Sequence, residues 1–409
     1  MKKKFVGIII SVIMLVIPAL VVGVAPIDSN DTYSYIIYKN GNNICVKSGT
    51  TGIIEKNSTS ATDVFNYAIT HLSSNGGTIF VKAGSYTIIS TLPIVQGLVI
   101  IGEGVTSTML EMSSTANCPM FGYTGLTDIY FFTMEHLQIM CQSGSTVGSC
   151  VKTNTHVNDG LIFDVYITHF KESGLDLGTT WGWRIDQSVF EYMGGDGLHL
   201  HGGLDAYITN VKSILNEGNG INLDSAYGVT MIGNYIGKNR KNGVLFNNTQ
   251  SCTLVGNVIY GNDKYKTGLY SDVYFTGSTK YNTICANRLE GSQVSTYNMY
   301  LGSSSSLSRN IITSNAMSGA VSGTVRRTSS NTDTVKINVG YTTENYGTCT
   351  ITNSNVVTVN HGLSTTPKAI SITPIGQFVS FYVDSITSTQ FKLLIDRTTT
   401  VSFYWTAFA

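Results

Sequence analysis

Gly174-Leu175-Asp176-Leu177, Gly197-Leu198-His199-Leu200, Gly220-Ile221-Asn222-Leu223 and Gly243-Val244-Leu245-Phe246 each begin 23 positions after the one before. A fixed short period marks a solenoid, in which each unit winds one coil and leans on its neighbours. Within each unit apolar residues flank a variable one. In a strand that alternation sends Leu175 and Leu177 to one side and Asp176 to the other. Stacked coils then make two ladders. One is an inner apolar stack. The other is an outer column of Asp176, His199 and Asn222 with rungs about 4.8 Å apart.

The period continues on both sides of these segments. Gly233-Asn234-Tyr235-Ile236-Gly237-Lys238-Asn239 matches Gly256-Asn257-Val258-Ile259-Tyr260-Gly261-Asn262 at the same spacing. Gly268-Leu269-Tyr270 arrives two residues late, which implies an insertion in one turn. Around Arg326 to Asp333 the composition turns polar, the pattern of a linker.

With 409 residues the chain has room for a long solenoid and an appendage. Lys+Arg and Asp+Glu balance at 25 each, and no basic face for nucleic acid is indicated. Abundant glycine, scarce proline and 23 tyrosines suit strands and tight turns with polar, aromatic outer faces. The start, Met1-Lys2-Lys3-Lys4 and then an apolar run from Phe5 to about Ala25, reads as a signal peptide or a membrane anchor. Either way the body is expected to be secreted or held at the cell surface, touching membrane only through that segment. The seven cysteines show no metal spacing. Cys141 and Cys150 are near enough in sequence for a local bridge; the alternative is buried free thiols.

A helix is expected over Ser60 to Leu72, where Val64, Phe65, Ala68, Ile69 and Leu72 share a face and Asn75-Gly76-Gly77 ends it. Strands follow at Gly77 to Val81, Thr87 to Leu92 and Leu98 to Gly102. The string from Asp63 through Gly76-Gly77-Thr78-Ile79-Phe80-Val81-Lys82-Ala83-Gly84-Ser85-Tyr86 to Ile100-Ile101-Gly102-Glu103-Gly104 resembles the entry to right-handed parallel β-helix proteins of the pectate-lyase-like superfamily. The resemblance implies a helix that covers the open end of the solenoid, whose first coil has an unpaired edge. It is specific for fold and not for chemistry, since that superfamily holds lyases, hydrolases, epimerases, viral tailspikes and adhesins.

The expected architecture is therefore all-β. Residues 1–25 form the signal peptide or anchor, 26–57 an N-terminal β segment, 58–325 a right-handed parallel β-helix with a capping helix, 326–334 a linker, and 335–409 a small C-terminal β-sandwich. The last rests on closely spaced strands at Val356 to Val359, Ala369 to Thr373, Phe378 to Val383, Gln390 to Leu394 and Val401 to Trp405. With His361-Gly362-Leu363 before them, these strands look like the C-terminal modules of some viral tail and host-recognition proteins. That likeness implies a stalk and a homotrimer.

Chemistry is sought on the outer column. Asp196, His199 and His201 lie close in sequence, Asp176 and Asn222 flank His199 on neighbouring coils, and Asp224 matches His201. Asp176 and Asp196 are the acid/base candidates, since glycoside hydrolysis needs two carboxyls roughly 5–9.5 Å apart. His199 and His201 would assist them. In a lyase, His199 or Arg184 would be the base. Trp181 and Trp183 are candidates for stacking a sugar, with Arg184, Asn222 and Asp224 as further substrate contacts. The plain alternative for Asp196 and Asp224 is turn chemistry. The Asp-Asp pair and Gly-His-Gly turn of polygalacturonase-type hydrolases are both absent. No cofactor is expected, and calcium, which needs six to eight oxygens, has no acidic cluster to support it. Two functional readings stay open: a carbohydrate-active protein that binds and cleaves a polysaccharide as lyase or hydrolase, and a non-catalytic adhesive stalk or tailspike-like receptor binder.

Overall fold

The computed structural model describes residues 33–144, 147–302, 308–327 and 332–409. The apolar run Phe5 to Ala25 lies outside them. Among the described residues no helix is long and apolar enough to cross a membrane.

Alternation of apolar and polar residues makes each coil a closed loop of strands, as in Leu175–Thr179, Arg184–Asp186 and Val189–Glu191. Successive coils pair in parallel register. Ten strands, one per coil, form one sheet, and the other two strands of each coil belong to a 22-stranded sheet. Leu175, Leu198, Ile221, Val244, Val273 and Met299 pair one to the next and are all fully buried. This is the inner apolar stack that the period predicts. The strand after Val244 begins at Val273, 29 positions on instead of 23, so the late unit is Val273–Thr276 and not Gly268-Leu269-Tyr270.

The corners raise a problem that apolar packing cannot solve, since they bury backbone N–H groups between coils. Asparagine ladders solve it. Asn234 donates its backbone N–H and its side-chain amide to Asn257 Oδ1, each at 2.9 Å. Asn257 does the same to Asn287, Asn287 to Asn315, and Asn315 to Asn338. Just before the first two ladder positions the chain turns through Gly233 and Gly256, each at φ +67°, where a side chain would be strained.

The helix Ala61–Thr70 buries Val64, Phe65, Ala68 and Ile69, and the Ser60 side chain caps its N-terminus by accepting from Asp63 N–H. It packs on the first strands, and Tyr35–Asn40 pairs in parallel with Gly77–Val81 at the base of the solenoid. At the other end Thr334–Lys336 still pairs with Ile311–Thr313. Parallel pairing is thus still present at Thr334, the last residue of the stretch expected as a linker, and Asp333 accepts from Asn310; residues 328–331 of that stretch lie outside the described residues.

The C-terminal strands Glu344–Asn360, Ala369–Ile375, Phe381–Asp384 and Gln390–Phe408 form one antiparallel sheet. The long first and last strands pair along their whole length, with register shifts between Ile351 and Val356. One half of the sheet packs over the other: Phe381 meets Phe403 and Phe391 meets Trp405, with ring centroids 5.8 and 5.9 Å apart. No disulfide joins the cysteines among the described residues, and Cys141 and Cys150 are buried.

Candidate functional site

The outer face of the ten-stranded sheet carries the column read from the sequence. Asp176 pairs with His199 and His199 with Asn222, while His201 pairs with Asp224 two residues along. One rung below Asp176 stands Lys152. Above Asn222 the column passes through Leu245 to Tyr274, Tyr300 and Arg326.

Asp176 is the centre of the polar part. Its Oδ2 lies 2.9 Å from Lys152 Nζ, and its Oδ1 lies 3.1 Å from His201 Nε2 and 3.9 Å from His199 Nδ1. Glu172 also reaches Lys152, at 3.6 Å. On the other side, His199 Nδ1 is 3.7 Å from Asp196 Oδ2. One imidazole nitrogen thus sits between two carboxylates. The His199 and His201 rings are in contact, with centroids 3.6 Å apart.

Burial of His199 pushes its pKa below the ordinary value, and the neighbouring His201 adds to that. The carboxylates of Asp196, Asp176 and Asp224 act against the shift without reversing it. The shift favours the neutral imidazole. Its Nε2 is buried with no hydrogen-bond partner, and so is Asn222 Oδ1 on the next rung. Buried polar atoms without a partner on neighbouring rungs call for an ordered water or a shift of the side chains.

Asp196 is engaged differently. Its Oδ1 accepts from the Asn219 backbone N–H at 2.6 Å and from Asn219 Nδ2 at 2.9 Å; its Oδ2 accepts from Asn222 Nδ2 at 2.8 Å. Asn219 in turn accepts from Asn242, and Asn242 from Ser271. Asp196 is therefore the foot of another amide ladder. Asp224 accepts from Asn247 Nδ2 at 3.0 Å and lies on the outer face beside His201.

The two tryptophans part company. Trp181 is 59% exposed at the corner after the Asp176 strand, bridged to Leu204 on the next coil. Trp183 is fully buried, donating its Nε1–H to Val157 O at 2.7 Å, and it cannot stack a sugar. It fits because Gly160 has no side chain: a Cβ there would lie 2.6 Å from the indole. Arg184 opens a strand of the 22-stranded sheet in register with Tyr207, away from the column's face. Lys152, Tyr274, Tyr300 and Arg326 were not singled out from sequence.

Asp176, His199 and His201 bring three donor atoms within 4.8 Å of one another. Two imidazoles and one carboxylate suit a transition metal and not calcium, which wants oxygen donors. Lys152 already supplies a positive charge at this carboxylate.

No curated protein matches the chain. Among solved structures it is similar to the A-module of a mannuronan C-5 epimerase from Azotobacter vinelandii, with 17% identity, a TM-score of 0.53, and coverage of 68% of this chain and 91% of that one. It is also similar to a cysteine-to-alanine variant of DFA-IIIase from Arthrobacter chlorophenolicus A6 in complex with DFA-III, with 13% identity, a TM-score of 0.55, and coverage of 69% and 81%. At such identities the likeness is one of fold. A family model described as the right handed beta helix region matches residues 133–272 and 173–367, more than half of the chain between them. By that match, and by the parallel coils that carry it, the chain belongs to the right-handed β-helix family.

Proposed function

We propose that the chain is a carbohydrate-active enzyme that lays a polysaccharide along the outer face of the ten-stranded sheet and moves a proton on a sugar held there, in the manner of a lyase or an epimerase. The observation that carries this reading is the contact chain Lys152–Asp176–His201, with His199 packed against it. A carboxylate that holds one imidazole nitrogen fixes the tautomer and leaves the other nitrogen for proton transfer. Asp176 holds His201 at Nε2, which leaves Nδ1 as the working position on a side chain 46% exposed. Lys152, one rung away, is a cation for a sugar carboxylate, whose charge spreads onto its oxygens as the neighbouring C–H loses its proton.

Hydrolysis is served less well. It needs a carboxyl group that gives up a proton and a second one that acts as base or nucleophile. Both oxygens of Asp196 are already engaged in holding the corner, accepting from Asn219 and Asn222. The similar fold of an epimerase and of DFA-IIIase supports a sugar substrate. The Lys2-Lys3-Lys4 start with its apolar run supports a working place outside the cytoplasm.

The test is to incubate the full chain with polyuronates and neutral glucans. Ultraviolet absorbance reads unsaturated sugars, deuterium uptake from heavy water reads epimerisation, and reducing ends read cleavage. Turnover of a polyuronate with unsaturation or deuterium uptake, cut about a hundredfold or more in His201→Ala, is expected. Reducing ends without unsaturation would overturn the proton-transfer reading in favour of hydrolysis. Glycan binding with no turnover would favour a rigid adhesive stalk.

A further inference from the structure

We infer that the upper end of the same column is a distal subsite for an acidic sugar residue, formed by Tyr274, Tyr297, Tyr300 and Arg326. The inference rests on the reading that an acidic polysaccharide lies along this face, and it adds a place where a long chain is anchored away from the chemistry.

Tyr274, Tyr300 and Arg326 follow one another on consecutive rungs. The rings of Tyr274 and Tyr300 are stacked with centroids 4.6 Å apart and planes within 3° of parallel. The Arg326 guanidinium closes this stack, 5.1 Å from the Tyr300 ring centre and 5.8 Å from that of Tyr297. Its charge is felt as far as Tyr274, where it opposes the upward push that burial gives the phenol.

Two aromatic faces hold the guanidinium plane, which lowers the entropy cost of using it. Among the described residues no carboxylate forms an ion pair with Arg326, and no protein acceptor takes its N–H groups. Lys152, at the other end, is tied to Asp176 and Glu172. A planar guanidinium packed against two rings, with no carboxylate partner among the described residues, matches a sugar carboxylate through two parallel hydrogen bonds. Five rungs separate His199 from Arg326. At the spacing of paired strands that is about 24 Å. A short oligosaccharide at the histidines stops before Arg326, whereas a polymer reaches it.

The experiment compares the full chain with Arg326→Ala, Arg326→Lys and Tyr300→Phe. The probes are polygalacturonate and polymannuronate, each as polymer and as trisaccharide, with dextran as the neutral control. Affinity electrophoresis reads binding and initial rates read KM and kcat. For Arg326→Ala the polyuronate KM should rise about fivefold, the upper end for an exposed ion pair, with the same loss of retention in the gel. The kcat and the trisaccharide rates should not change. Arg326→Lys should recover part of the loss, since it keeps charge without the fork, and Tyr300→Phe should weaken polymer binding less than Arg326→Ala. The difference should fade in high salt. Unchanged polymer binding in Arg326→Ala would overturn the subsite, as would equal weakening toward dextran or the trisaccharides. Should no glycan be turned over, electrophoresis still reads the subsite, so a failure of the catalytic reading is distinguishable from a failure of this one.

Discussion

Replacing Asp176 by asparagine keeps its shape and removes its charge. The carboxylate now gives one oxygen to Lys152 and the other to His201. An amide has one acceptor and one donor, so in Asp176→Asn either the lysine or the imidazole faces an NH2 group. The stability cost should be small. The lysine is 49% exposed, and such a pair is worth up to about 1 kcal/mol. The imidazole contact adds about 1 kcal/mol at most. Together they should lower Tm by only a few degrees. Activity should respond on another scale, because the orientation of the proton-transfer group is lost: about 10²- to 10⁴-fold in kcat, with little change in KM. Initial rates on the best polyuronate, beside a thermal melt and a circular dichroism spectrum, separate the two effects. Activity within threefold of the parent in a folded variant would refute the role of Asp176. So would a loss of activity matched by a loss of folded protein.

Two further outcomes test the scaffold. Asn257→Ala should cost on the order of 3–5 kcal/mol in urea unfolding, because it strands the backbone and side-chain donors of Asn234 and the carbonyl of Met231 inside the solenoid. Asp272 is fully buried, and burial pushes its pKa up to about 6 against the pull of Ser295, Asn262 and Asn298. Between the ordinary value of 3.8 and about 6 the fold holds this proton more tightly than the unfolded chain does. Its contribution is therefore full below that window and lost as pH rises through it, by about 3 kcal/mol relative to Asp272→Asn. Urea midpoints of both proteins from pH 4 to pH 7 measure this.

The solenoid was legible because the coil length is constant where it was read. Leu175, Leu198, Ile221 and Val244 recur without a gap, and so do Asp176, His199 and Asn222. The contacts that give the column its chemistry were less visible. Lys152 stands 24 positions before Asp176, in a coil with no leading glycine, so it falls out of phase with the repeat. Tyr274 is displaced by the longer turn before Val273, and the steps to Tyr300 and then to Arg326 are each 26 positions instead of 23. Trp183 was misread because sequence does not tell to which side a corner throws a ring. The decisive fact is the missing side chain at Gly160, more than twenty positions away in sequence and one coil away in space. Asp196 shows both readings of its type at once, since it is a structural foot and also a neighbour of His199.

The amide ladders have a consequence for how such a chain changes over evolutionary time. From Asn234 upward each coil hands the next the same pair of corner hydrogen bonds, from a backbone N–H and a side-chain amide. A duplicated or deleted coil would meet the same donors and acceptors above and below as its parent, and the core would close over the join. Arg326 would then move one rung relative to Lys152. The length of the outer face is therefore set in whole steps, and lineages can lengthen or shorten it by copying a single unit while leaving the histidines alone.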